Sequence, residues 1–133
     1  MDPSTTLSIV SDADIITARQ QGRTFVLQLG FSSQEARVVA TAISELARNI
    51  VLYAARGEIV LRPVERDGRS GVLVIARDQG PGISDVYRAA LDNVSSMDGM
   101  GLGLRGTKRL MDEFEIVSAA GQGTTVALKK WKT

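Results

Sequence analysis

The sequence predicts an α+β fold, a two-layer sandwich in which a mixed, mostly antiparallel sheet carries helices on one face. Three observations lead there. Helical and extended patterns follow the order strand, two helices, two strands, loop, helix, two strands, which suits one sheet with helices packed against it. Two turn signals, "RDGR" at 66–69 and "AGQG" at 120–123, each join a pair of extended runs. The 133 residues are 44% apolar, enough for one hydrophobic core, so a single domain over residues 1–133 is expected.

Each element has a local reason. Leu7 to Val10 is a short β-prone run. Asp12 to Leu29 reads as a helix whose inner face would be Ile16, Phe25, Val26 and Leu29, with Gly30 as its stop. Ser32 and Glu35 are spaced as a capping box. The helix they open runs from about Ser33 to Ala55, with Val39, Ile43, Leu46, Ile50 and Ala54 as its apolar stripe and Gly57 as its end. Glu58 to Glu65 and Gly71 to Ala76 form a hairpin. "DQGPGI", 78 to 83, is a loop, and Asp85 to Leu91 reads as a short helix. A polar, glycine-rich run from 92 to 101 leads into a third helix between Gly103 and Met111. Glu115 to Ala119 and Thr124 to Lys130 are the last two strands.

Composition narrows the chemistry. There is no cysteine and no histidine, which excludes disulfides, thiolate or imidazole zinc sites, and every Ser-His or Cys-His nucleophile pair. A general base must be a carboxylate, lysine or tyrosine, and a metal must accept oxygen ligands, as magnesium or calcium do. The net charge of +1 and the 5% aromatic content give no case for nucleic acid. No apolar run is long enough to span a membrane, and "MDPSTTLSIV" lacks the regions of a signal peptide, so a cytoplasmic protein is expected.

Four stretches carry candidate chemistry. "GMGLGLRG", 99 to 106, fits G-x-G-x-x-G, but a polar run precedes it and no acidic residue follows at the ribose-binding distance. No G-K-[ST] follows it either, so it is not a P-loop. What remains is a glycine-rich turn entering a helix, whose free N–H groups favour an anion, or a plain loop. Glu45 and Asn49 in "SELARNI" lie four apart on one side of a helix, off the centre of its apolar stripe. They read as a general base beside a magnesium ligand, or as a solvated face. Asp78 in "DQGPGI" could accept a hydrogen bond from a base's exocyclic amine, or simply start a turn. "GQGTTV", 121 to 126, offers a threonine hydroxyl that could help hold a base, or only a hairpin.

Taken together, "ELARN", "DQGPG", "GLGL" and "GTTV" resemble, in order and spacing, the N, G1, G2 and G3 boxes of the Bergerat-fold (GHKL) ATP-binding domains. The resemblance covers nearly the whole chain. Histidine kinases of that superfamily usually carry asparagine at the first N-box position and a phosphorylated histidine on a preceding helix, neither of which is found here. Gyrase, Hsp90 and MutL need a second domain. The chain is most similar to the free-standing serine/threonine switch kinases, with the anti-sigma factors as the alternative.

The resemblance implies ATP and Mg²⁺ as ligands. It implies Glu45 as the base for the acceptor hydroxyl and Asn49 as the Mg²⁺ ligand. Asp78 would recognise adenine in a pocket shaped by Gly80 and Gly82 and completed by Thr124. Gly101, Leu102, Gly103 and Leu104 would offer N–H groups to the phosphates, Arg105 would add charge, and residues 84–100 would form a lid. Arg19 matches a position that meets protein partners. Those partners would be STAS-domain proteins of a stressosome and a PP2C-type phosphatase, or a sigma factor in the alternative. A weak homodimer is compatible with this group.

Overall fold

A computed structural model describes residues 4–78, 111–119 and 123–132, without the side chains of Tyr53 and residues 117–119. Within those residues the chain forms β1 (Thr5–Ile9), α1 (Asp12–Gln28), α2 (Ser33–Ala54), β2 (Gly57–Arg66), β3 (Arg69–Asp78), β4 (Glu113–Ala119) and β5 (Gly123–Trp131). The expected helices at 85–91 and 103–111 and the lid at 84–100 lie outside the described residues, apart from Met111, which is buried.

The five strands make one sheet in the order β1-β2-β3-β5-β4. Every described pairing is antiparallel, where a mixed sheet was expected. The register fixes the two faces, since directly opposed residues share a side. Leu7 and Ile9 of β1, Ile59 and Leu61 of β2, Val72, Val74 and Ala76 of β3, and Val126 and Leu128 of β5 all fall on one face and are buried. Both helices pack on that face, so the core is a single layer between helix and sheet. The α+β sandwich with helices on one side is thus observed.

The helices form where the sequence pattern puts them. Asp14 accepts hydrogen bonds from the backbone N–H groups of Val10 (2.9 Å) and Ser11 (3.2 Å), fixing the start of α1. At α2 the capping box is complete: Glu35 N–H donates to Ser32 Oγ and Ser32 N–H to Glu35 Oε1, both at 3.0 Å. Val39, Ile43, Leu46 and Ile50 are buried as the stripe requires.

Ile16 is a correction. It was expected on the inner face of α1 but is 62% exposed. The buried line of α1 is Ala18, Gly22 and Val26, four residues apart, and Ile16 stands about 200° around the helix from Ala18. Small residues occupy this line because α2 lies close: a Cβ on Gly22 would run into the side chain of Ile43. The β2–β3 turn is tighter than "RDGR" as a whole. Asp67 (φ 52°) and Gly68 (φ 80°) make the two-residue loop, and both strands extend to Arg66 and Arg69.

Candidate functional site

The second half of α2 and one end of the sheet meet at the candidate site. Glu45 and Asn49 stand one turn apart on α2. Glu45 is half-buried, but Asn49 is only 4% exposed, deeper than its place beside the apolar stripe suggests. Its Nδ2 has no hydrogen-bond partner among the described residues. Buried amides are nearly always satisfied, so this one has its hydrogen bond still to make beyond the described residues. Because the two ends of an amide can exchange places, either its oxygen or its nitrogen can meet that group.

The sheet contributes Asp78 and Thr124. They are the last residue of β3 and the second of β5, and they lie directly opposite one another in the register. Opposed side chains in an antiparallel pair stand about 5 Å apart. Both belong to the face that carries the helices, by alternation from Ala76 and Val126. Thr124 is 5% exposed and Asp78 is half-buried. A carboxylate and a hydroxyl therefore sit together at this end of the sheet.

Gly57 brings the helix to this pair, a role that sequence reasoning missed. It pairs with Asp78 from the other side, at the start of β2. A Cβ there would strike the carbonyl oxygen of Arg77 and come within 3.0 Å of Ile50 Cγ2 and 3.1 Å of Asp78 Cβ. The absence of a side chain lets Ile50, next to Asn49, close down on Asp78. The signal in the sequence was the glycine itself, read as a helix stop. The stop is Ala55, which adopts φ 69°, and Gly57 is already in the strand.

Of the expected site residues, Asp78 and Thr124 oppose one another at this end of the sheet, Asn49 adjoins Ile50, which packs there, and Glu45 stands one helical turn before Asn49. Gly80, Gly82, Gly101, Leu102, Gly103, Leu104 and Arg105 lie outside the described residues. Arg19 stands apart, exposed on α1, in a groove of about 480 Å³ between the two helices. That groove is larger than the recess of about 430 Å³ that reaches Asp78 and Gly57. Size does not identify the site here, since the smaller recess is lined by Thr6, Ser8 and Arg77 on the outer face and leaves out Asn49 and Thr124.

Comparison with known proteins gives a consistent picture. Residues 11–130 match the model of a family described as "Histidine kinase-like ATPase domain". The chain is 46% identical over 131 residues to the serine/threonine-protein kinase RsbT of Bacillus subtilis, covering 98% of each chain. It is 31% identical over 120 residues to the anti-sigma F factor of Caldanaerobacter subterraneus subsp. tengcongensis, covering 86% of this chain and 82% of that one. Among solved structures, the SiaB-SiaC complex from Pseudomonas aeruginosa contains a chain that matches with a TM-score of 0.59 at 15% identity, over 96% of this chain and 88% of that chain. The mycobacterial sensor histidine kinase MprB matches with a TM-score of 0.53 at 16% identity, over 99% and 98%. At these identities the two structures speak for the fold alone.

Proposed function

The chain belongs to the histidine kinase-like ATPase domain family, and on that premise we propose that it is a serine/threonine protein kinase that moves the γ-phosphoryl group of ATP to a hydroxyl of a partner protein. The observation that carries the reading is the buried amide of Asn49, whose Nδ2 has no partner among the described residues, on the helix that packs toward the opposed pair Asp78 and Thr124. A nucleotide with its metal would offer a polar group to the amide and a flat hydrogen-bonding edge to the carboxylate and hydroxyl.

Each residue then has a task. Asp78 accepts a hydrogen bond from the exocyclic amine of adenine, and Thr124 supports the same edge through its hydroxyl. Asn49 would hold Mg²⁺ through its side-chain oxygen, and the ion would supply positive charge that neutralises the phosphates. Glu45 takes the proton from the acceptor hydroxyl as that oxygen bonds to the γ-phosphorus, while the bond to the β–γ bridging oxygen breaks and ADP leaves. The phosphate-facing roles of Gly101 to Leu104, of Arg105, and the shaping of the adenine pocket by Gly80 and Gly82 rest on the sequence motif alone.

The acceptors in this reading are STAS-domain proteins, and the released kinase engages a PP2C-type phosphatase in the cytoplasm. Arg19 contributes to partner contact. The likeness to anti-sigma F factors supports a second reading, a sigma-factor-binding module whose nucleotide sets its binding state. One experiment separates the readings. The protein is incubated with γ-labelled ATP, Mg²⁺ and purified STAS-domain proteins, and the acid stability of any label is tested. Acid-stable label on a serine or threonine of the partner is expected. Label that acid removes, or a sigma factor captured in place of any labelled partner, overturns the kinase assignment.

A further inference from the structure

We propose that the recess on the outer face of the sheet, opposite the helices, binds a small anionic metabolite through Arg56 and Arg77. Thr6 and Ser8 line it from β1, Arg56 and Glu58 from the junction of α2 with β2, and Arg77 from β3. By alternation from the buried Leu7, Ile59 and Ala76, the strand residues among them all belong to the face that carries no helix among the described residues. The volume of about 430 Å³ falls within the range of about 300–1,000 Å³ typical of small-molecule sites. This site is separate from the kinase reading and does not rest on it.

The charges leave a place for one anionic group. Arg56 and Arg77 are both exposed, and two carboxylates line the recess with them. Asp78 belongs by alternation to the helix-bearing face. Glu58 lies across from Arg77 in the register, but its Oε1 stands 3.8 Å from Arg77 Nη2, a loose contact for an ion pair. Arg56 has no ion pair or hydrogen bond among the described residues, and the hydroxyls of Thr6 and Ser8 have no hydrogen bond there either. A guanidinium keeps its charge whatever surrounds it, and its planar fork fits the oxygens of phosphate or carboxylate. Hydroxyl groups on the same ligand would meet Thr6 and Ser8, and its carbon skeleton would lie against Val10, which is 56% exposed. A nucleic-acid backbone carries a phosphate at every step and would press further negative charge on Glu58, so a small molecule with one anionic group fits better.

The backbone that delivers Arg56 is strained. Ala55, between the end of α2 and Arg56, adopts φ 69° and ψ −39°. A residue with a side chain rarely takes up positive φ, and residues held in such conformations cluster at ligand clamps. Here the strained turn ends the helix and sets Arg56 directly before Gly57, the first residue of β2, so that its guanidinium reaches the recess. An unpaired arginine and a strained residue thus stand next to one another at the mouth of one cavity.

The test uses the full, isotope-labelled chain and follows its backbone amide resonances with three probes: glycerol phosphate, glycerate and glycerol. The two anions distinguish a phosphate from a carboxylate ligand, and glycerol carries the hydroxyls without the charge. At least one anion should give saturable shifts at Ser8, Gly57, Glu58 and Arg77, with an affinity in the millimolar range that falls as salt rises. Glycerol should bind at least about tenfold more weakly. Arg56→Gln should lose the anion by a similar factor and Arg56→Lys by less, while the affinity for Mg-ATP stays the same in both. The proposal is overturned by no saturable shift with either anion, by equal binding of glycerol, or by equal anion affinity in wild type and Arg56→Gln. Shifts that disappear when Mg-ADP is added place the anion at the nucleotide site and overturn it as well.

Discussion

Asn49 is buried, and its Nδ2 has no partner among the described residues. An unsatisfied polar group away from water costs on the order of 1–3 kcal/mol, and a leucine of similar size would remove that penalty. Asn49→Leu should therefore raise the melting temperature of the nucleotide-free protein by a few degrees. The same change should abolish the further rise that Mg-ATP gives the wild type, since ligand binding stabilises only a chain that retains its site. A lower melting temperature for Asn49→Leu would mean that the amide is already satisfied within the fold. In the proposed reading Glu45 and Asp78 divide the labour differently. Glu45→Gln keeps shape and hydrogen bonding but removes the proposed base, so ATP affinity should hold while phosphoryl transfer falls by roughly 10²-fold or more. Asp78→Asn turns one acceptor into a donor facing the amine, so calorimetry should find ATP affinity itself reduced. Equal ATP affinity in Asp78→Asn and wild type would remove the adenine assignment. These residue types were legible in the sequence because a carboxylate and an amide four apart on a helix share a side. The burial of Asn49 was not, because it depends on how far the sheet closes beneath α2.

At the scale of elements, the close approach of α2 to the sheet rests on Gly57. Adding a methyl group there presses on the Arg77 carbonyl and on Ile50, neither of which is a loose side-chain end. Gly57→Ala should cost about 1–3 kcal/mol by overpacking, read by urea denaturation. It should also weaken ATP binding, because Ile50 and its neighbour Asn49 are pushed away from Asp78. Unchanged stability and affinity would show that the helix has room to move. The elements themselves were largely legible. The α2 stripe has the helical period over four turns, and its capping box marks the first residue. The β2–β3 hairpin announces itself through Asp67 and Gly68. Ile16 misled because hydrophobicity alone marks no inner face when the inner face is made of small residues. The line Ala18, Gly22, Val26 is set by proximity to Ile43, a tertiary fact that no local pattern in α1 reports.

The whole molecule is built with two unlike ends. Gly57, Asp78 and Thr124 meet at one end of the sheet, while among the described residues the other end is clasped by side chains. There the ring of Trp131 lies over Gly71, whose missing side chain makes room for it, and Arg66 stacks on the ring with its guanidinium carbon 4.9 Å from the centroid. Glu113 ties the clasp together across β4, β5 and β2. Its Oε2 accepts from the indole N–H of Trp131 and from Arg66, both at 2.9 Å, and Lys129 stands 3.8 Å from Oε1. The indole hydrogen bond acts most strongly on the Glu113 carboxyl; desolvation opposes it, and Arg66 and Lys129 add to it, so the carboxyl lies below its ordinary value of 4.5. A carboxyl whose folded pKa lies below its unfolded one stabilises the fold fully above the unfolded value. That contribution fades as pH falls through the folded value, where both states become protonated. Glu113→Gln removes the titration while keeping an oxygen for the indole. The wild type should therefore melt higher than Glu113→Gln at neutral pH, and the gap should close as the pH drops below 4.5. High salt should narrow the gap as well, since the pair Arg66–Glu113 is partly exposed. ATP affinity should be the same in both proteins, because the clasp and the candidate site sit at opposite ends of β3 and β5. A gap that does not change with pH would place the stabilisation in shape alone, and a loss of ATP affinity would mean that the two ends are coupled through the sheet.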